Sequence, residues 1–286
     1  MNKIFQITTE LIKSTNIDIK FKLIEIGARQ LSIKREPFYK LLDHFPSSKI
    51  IGFEIDEETC NIMNSSARDG VKYYPKALGE FNEIRQLYVT NHPMCSSLYK
   101  PNEDLISLYQ NFEVAYLKSE TTIETVALDN FLAANNIGSI DFIKIDVQGA
   151  ELDIFKGGKK ALKDVLKIVC EVEFVPHYEN QPLFGDVCNF LNNYDLMFNK
   201  FLTLEGRSLR PLVYNKNLNY ASQHIWSDAI FITHVQKIPQ LNNEKLLKLS
   251  LLAAVYGSSD LTLYCLSKFD ERNSSLLATE WLRKVR

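Results

Sequence analysis

No stretch of the 286-residue chain approaches the roughly 18 consecutive apolar residues that span a bilayer, and the opening MNKIFQITTELIKSTN is too polar for a signal peptide. Cysteines are few and scattered: Cys60, Cys95, Cys170, Cys188 and Cys265 are odd in number and form no CxxC pair. That spacing argues against a disulfide framework or a zinc site and fits reduced thiols, so a cytoplasmic protein is expected. Charge of one sign is also missing. The formal net charge is −2, so no strong field recruits nucleic acid or an acidic membrane surface. The last absence is a glycine-rich loop: EIGARQLSIKRE offers only Gly27, which excludes the dinucleotide fingerprint and the P-loop. What remains, 45% hydrophobic and 24% charged residues, is ordinary for a globular chain of a length that supports one main core.

From residue 20 onward strand and helix patterns alternate, the signature of a parallel sheet covered by helices. KFKLIEIG (20–27) reads as a first strand, PFYKLLDHF (37–45) as a helix opened by Pro37, and KIIGFEID (49–56) as a second strand. EETCNIMNSSAR follows as a helix, Asp69-Gly70 as a turn, and VKYY as a third strand. Both long strands are apolar almost throughout, as expected when each sheet face is covered. Residues 80–127 break the rhythm with two strand-like segments around the polar loop NHPMCSSLYKPNED, and are expected as an insertion near one sheet edge. Regularity returns with helix LDNFLAANN, strand DFIKIDV, a helix over 150–165, strand KIVCEVEF and a helix near FGDVCNFLNN. Segments 194–204 and 227–235 fit a closing antiparallel hairpin. The division expected is an N-terminal helix over 1–19, a main domain over 20–237 and a helical extension over 238–286, with Ser258 and Ser274 as N-caps.

In open α/β sheets ligands sit beyond the carboxyl ends of the strands, where the strand order reverses. Three predicted strands deliver acids to that edge: Glu25 with Gly27, Glu54 with Asp56, and Asp146 with Gly149. Each acid could merely cap the helix that follows, a role worth about 0.3–1 kcal/mol. Three at corresponding places suggest instead a ligand with hydroxyl and ammonium donors. S-adenosylmethionine carries ribose, adenine, an amino-acid head and a sulfonium but no phosphate, and so suits a site with a single close-approach glycine.

The segment VALDNFLAANNIGSIDFIKIDVQGAELDIFKGG resembles the diagnostic core of the FkbM family of S-adenosylmethionine-dependent methyltransferases. LIEIGAR, GFEID, KALGE, SSLYKPN and CEVEFVPHYENQPLFGDVCNFL are similar to other family segments in order and spacing, together covering roughly residues 20–235. The resemblance implies a Rossmann-like class I methyltransferase fold: α/β, a mostly parallel twisted sheet with helices on both faces, here with a C-terminal helical appendage. It implies S-adenosyl-L-methionine as cofactor, with Glu25 and Gly27 at the methionine portion, Glu54 and Ile55 at the ribose, Ala77 and Leu78 near adenine, and Arg29, Asp146 and Gln148 as further cofactor contacts. Ser97, Glu151 and His177 would meet the acceptor. Where the family commonly reads Asp-x-Glu-Gly, this chain has Asp146-Val147-Gln148-Gly149, and the loop after Gly27 carries Arg29, Lys34 and Arg35 in place of a second glycine.

Methyl transfer from a sulfonium is an in-line displacement that depends mainly on alignment, and a neutral hydroxyl acceptor must also lose its proton. Asp146, Glu173 and His177 are the candidate bases. The same three could hold a divalent metal, but their spacing fixes no geometry and no metal is expected. The expected activity is O-methylation of a saccharide, lipid or other small hydroxylated acceptor. Alternatives are N- or protein methylation, or a cofactor-binding protein impaired in catalysis that acts through its helical tail. The partner expected is a small-molecule acceptor (sugar, lipid or natural product), with a homodimer left open.

Overall fold

Four short apolar runs build the centre of the protein. In the computed structural model, which describes residues 3–28, 36–217 and 220–286, they form β1 (Lys22–Ile26), β2 (Lys49–Phe53), β7 (Phe142–Ile145) and β8 (Lys167–Glu173). With β3 (Val71–Tyr74), β9 (Leu196–Phe201) and β10 (Trp226–Thr233) they make a seven-stranded sheet in the order β3-β2-β1-β7-β8-β10-β9. Only β10 runs antiparallel to its neighbours β8 and β9, and it forms with β9 the closing hairpin expected from the sequence. The order reverses between β1 and β7, so a crevice opens beyond their carboxyl ends. The result is a Rossmann-like, doubly wound α/β arrangement with a mostly parallel sheet.

The insertion forms its own sheet. β4 (Ala77–Gly79), β5 (Glu83–Thr90) and β6 (Leu117–Ala127) are ordered β4-β6-β5, and this small sheet shares the crevice with the main one. The short α4 (Glu103–Ile106) lies in the loop between β5 and β6.

One face of the main sheet carries α5 (Leu128–Ala134), α6 (Glu151–Gly157) and α7 (Phe184–Asn192) over a core that includes Ile24, Ile143, Ile145 and Phe155. On the other, α1 (Lys3–Lys13) and α2 (Lys40–His44) share a core with the tail helices α8 (Asn243–Val255), α9 (Ser259–Asn273) and α10 (Leu277–Val285). Along α8 every residue from Leu246 to Ala254 is buried, so the helix is enclosed on all sides rather than along one stripe. Its Lys248 Nζ meets the Asp141 carboxylate at 3.0 and 3.1 Å, and Asp141 in turn accepts from the Lys22 N–H at 2.8 Å. The tail is thus bonded to the first and fourth strands of the parallel core.

Local details differ from the sequence expectations for identifiable reasons. The helix expected over 37–45 starts as a tight 3-10 turn at Pro37–Tyr39 before α2. α3 (Glu57–Ser65) is capped by Asp56, whose side chain accepts from the Thr59 N–H at 2.8 Å. The helix expected over 150–165 stops at Gly157, where a Cβ would sit 2.2 Å from the Gly79 carbonyl oxygen, and resumes as a 3-10 turn at Ala161–Lys163. Asp129 holds the restart by accepting from the N–H groups of Lys160 and Ala161. Ser258 is at the N-cap position of α9, but its hydroxyl makes no capping bond. Ser274 is not an N-cap: it ends α9 at φ 51°, and the Asp270 carboxylate caps α10 from the N–H groups of Leu277 and Ala278.

Candidate functional site

At the switch point the backbones of β1 and β7 approach so closely that only glycine fits. Gly27 has φ +76°, and a Cβ there would lie 1.9 Å from the Asp146 carbonyl oxygen. Its N–H and that of Ala28 both donate to the Phe53 carbonyl, at 3.2 and 3.0 Å, which ties the turn after β1 to the end of β2. The result is a cleft of about 820 Å³, its open mouth included. Gly27, Glu54, Ile55, Ala77, Leu78, Ser97, Asp146 and Gln148 all line it, together with Phe53, Lys76, Leu87, Met94 and Ile123. It is lined from both sheets, which makes the insertion one wall of the site.

The wall chemistry varies along the cleft. Glu54 directly follows β2 and lines the crevice, and its Oε1 accepts from the Asp56 N–H at 2.9 Å. Ile55, Ala77 and Leu78 supply a flat apolar stretch beside it. Across the mouth, Ser97 donates to the Gln148 carbonyl at 2.6 Å and accepts from the Tyr99 N–H at 3.0 Å, so its hydroxyl fastens the insertion loop to the turn after β7.

That turn holds the densest polar arrangement. Gln148 adopts φ +58°, a left-handed conformation uncommon for a non-glycine residue, and Gly149 follows at +97°. The amide nitrogen of Gln148 donates to Asp146 Oδ1 at 2.8 Å and to Glu171 Oε2 at 2.6 Å. One neutral NH2 therefore serves two carboxylates. The Tyr178 hydroxyl, which donates to the Cys95 carbonyl (2.8 Å) or to Gln148 Oε1 (3.3 Å), fixes the amide orientation, since the flipped amide would aim its oxygen at both acids. Asp146 also shares a side-chain hydrogen bond with Glu171, so Asp146, Gln148 and Glu171 form one cluster. Behind this turn the buried Lys144 pairs with Asp228 at 2.9 Å; burial alone would lower its pKa, but Asp146 and Asp228 outweigh it and hold the ammonium charged.

Burial raises the carboxyl pKa values of Glu171 and Glu173, and nearby acids push them further: Asp146 and Glu173 act on Glu171, Glu151 and Asp146 on Glu173. Glu151 is buried, pushed up to about 7 by desolvation, and its Oε1 accepts from the Val147 N–H at 2.8 Å; it braces the turn from below and does not line the cleft. Glu25, 4% exposed, is likewise raised to about 7 by burial; it accepts from the Tyr39 hydroxyl at 2.5 Å and also lies off the cleft. Glu173 and His177 lie outside the lining too. Arg29, with Lys34 and Arg35, lies outside the described residues.

Glu171 and Tyr178 escaped the sequence reading. The first was legible: in KIVCEVEF the two-residue period puts Glu171 on the same face as Glu173. Tyr178 could not be found that way, because its contact with Gln148 joins residues far apart in the chain through a loop. Among the described residues no group of three or more His, Cys, Asp or Glu side chains could hold a metal ion, and no helix is long and apolar enough to cross a membrane.

Residues 25–196 match the family described as the methyltransferase FkbM domain. The chain is 34% identical over 184 residues to the 2-O-methyltransferase NoeI of Sinorhizobium fredii, covering 61% of this chain and 72% of that protein. It is 28% identical over 145 residues to Methyltransferase 1 of Beauveria bassiana, covering 46% of this chain and 54% of that one. Among solved structures, a SAM-dependent methyltransferase from Aquifex aeolicus aligns over 80% of this chain and 91% of its own at 10% identity and a TM-score of 0.30.

Proposed function

Because the chain belongs to the FkbM methyltransferase family, we propose that this methyltransferase binds S-adenosylmethionine in the switch-point cleft and transfers its methyl group to a hydroxyl oxygen of a saccharide, lipid or other small acceptor. The observation that carries the reading is the turn around Asp146. It lines the same cleft as Gly27 and Glu54, and the Gln148 amide holds its carboxylate in place at the cleft wall.

The residues present fit such a cofactor. Glu54 offers a carboxylate to a ribose diol, Ile55, Ala77 and Leu78 an apolar surface to adenine, and the Gly27 turn brings backbone to the cleft wall. When bound, the cofactor supplies an electrophilic methyl group. The protein's part is alignment and proton handling. The Asp146 carboxylate receives the acceptor's hydroxyl proton as the new bond forms, while Gln148 holds its Oδ1 and so fixes the carboxylate plane. Ser97 keeps the insertion loop closed over the turn and narrows the approach for water. The relative named a 2-O-methyltransferase favours oxygen as the receiving atom.

Calorimetry with S-adenosylmethionine and its demethylated product tests the cofactor site: binding of both is expected, and heats no larger than dilution for either would reject it. In an acceptor screen, Asp146→Asn is expected to keep the fold and lose at least tenfold in turnover. Wild-type turnover in that variant would remove Asp146 from proton transfer.

A further inference from the structure

Beyond the Gln148 turn lies a second group of side chains that the cofactor cleft does not use. Trp226 opens β10 and pairs in register with Glu173 at the end of β8. Its ring stands 6.0 Å from Phe112 and 6.0 Å from His177, and Phe112 stands 5.2 Å from His177. The Arg207 guanidinium lies over Trp226 at 4.7 Å and over Phe112 at 5.9 Å.

Two polar atoms in this group are buried without a partner among the described residues. One is Nε2 of His177, a residue 8% exposed; the other is Nε of Arg207. Leaving such a group unsatisfied is costly, more so when it is charged, so buried polar atoms of this kind normally have a partner. Among the described residues Arg207 donates only to the neighbouring Gly206 carbonyl and forms no ion pair. Glu205 acts on it only at longer range. A guanidinium half-sunk among aromatic rings, with no described carboxylate in ion-pairing reach, is suited to an anion from outside.

The group also adjoins the reacting end of the cleft. Tyr178, next to His177 in the chain, reaches Gln148, and Gln148 holds Asp146. The Arg207 charge is felt by both His177 and Cys95, and the Cys95 carbonyl accepts from the Tyr178 hydroxyl. We infer that Arg207, His177 and Trp226 form an acceptor subsite for an anionic group, a carboxylate or a phosphate, so that the methylated molecule is an acidic hydroxylated compound. The inference rests on the methyltransferase reading above for the word acceptor. The anion site itself does not require a bound cofactor.

The two tryptophans make a direct test. With 5-fluorotryptophan incorporated into the full chain, Trp226 reports on the subsite, and Trp281, buried and bonded to the Thr8 hydroxyl at 2.8 Å, serves as an internal control. Titration at millimolar concentration with glucuronic acid, glucose 6-phosphate and glucose, without cofactor, is expected to move the Trp226 fluorine signal with at least one of the two anions and not with glucose. Which anion moves it tells carboxylate from phosphate. Arg207→Gln is expected to weaken that response at least tenfold and Arg207→Lys to retain part of it, with the Trp281 signal unchanged as proof of folding. An equal response to glucose, no response to either anion, or an undiminished response in Arg207→Gln would overturn the proposal. A protein that binds these anions yet gives no heat with S-adenosylmethionine would instead refute the cofactor reading.

Discussion

Replacing Gln148 by glutamate turns the one neutral bridge of the site into a third carboxylate. The wild-type amide donates to Asp146 and Glu171 at 2.8 and 2.6 Å, and bonds to charged groups are worth about 1.5–3 kcal/mol each before discounting for the half-buried setting. A glutamate in its place would face both carboxylates with no donor. Repulsion cannot grow without limit, because protonating one ordinary carboxyl relieves it. That relief costs roughly 5 kcal/mol at pH 8 and about 1.6 kcal/mol at pH 5.5, counted at 1.36 kcal/mol per unit above a reference pKa of about 4.3. The φ of +58° at residue 148 is shared by both side chains, so backbone strain cancels from the comparison. Urea unfolding followed by circular dichroism should therefore show Gln148→Glu less stable than wild type by about 3–5 kcal/mol at pH 8 and by about 1–2 kcal/mol at pH 5.5. The sign follows from linkage: a carboxyl whose folded pKa is raised destabilises increasingly as pH rises through it. Gln148→Ala, which removes the donors without adding a charge, should lose about 2 kcal/mol with a shallower pH dependence. A Gln148→Glu deficit that is the same at both pH values, or below about 1 kcal/mol at pH 8, would refute the bridging role.

The tail helices should prove inseparable from the sheet. Lys248→Ala leaves the Asp141 carboxylate buried without its cation and is expected to cost about 3–5 kcal/mol in urea unfolding, part of which Asp141→Asn in the same chain restores; a loss under about 1 kcal/mol would contradict the packing described. Stability should also fall from pH 6 to pH 8. The carboxyls of Glu25 and Glu151 are raised from 4.5 to about 7, so each favours the folded state below pH 4.5 and loses that contribution as pH climbs through about 7. His177, lowered to about 3 by burial, acts oppositely below pH 6.5, which leaves the descent steepest between about pH 6 and 7. Glu25→Gln should flatten that descent in a melting-temperature series by about one proton; an unchanged slope would show that Glu25 does not titrate there.

Much of the fold was legible because it is written in short-range patterns. Apolar runs bounded by turn residues marked β1, β2, β7 and β8, and the lone Gly27 marked the close approach that the Asp146 carbonyl enforces. The strand-end acids Glu54 and Asp146 were visible for the same reason: a parallel strand delivers its last side chains to one edge. What chain order could not convey is direction and partnership across long separations. Glu25, one strand-end acid among three, points to Tyr39 rather than into the cleft, since alternation along β1 sends it to the face that α2 covers. Gln148 looked like a lost carboxylate. Only the left-handed turn and the arrival of Glu171 from the next strand make it the amide that serves two acids. The tail, with its helical spacing, announced helices but not that α8 would be enclosed on all sides and bonded through Lys248 to Asp141. By itself, then, the sequence determined the strands, their acidic ends and the family. The tertiary structure decided which acids share a donor, which lie beneath the site and which cations stay unanswered, because those depend on how distant segments meet.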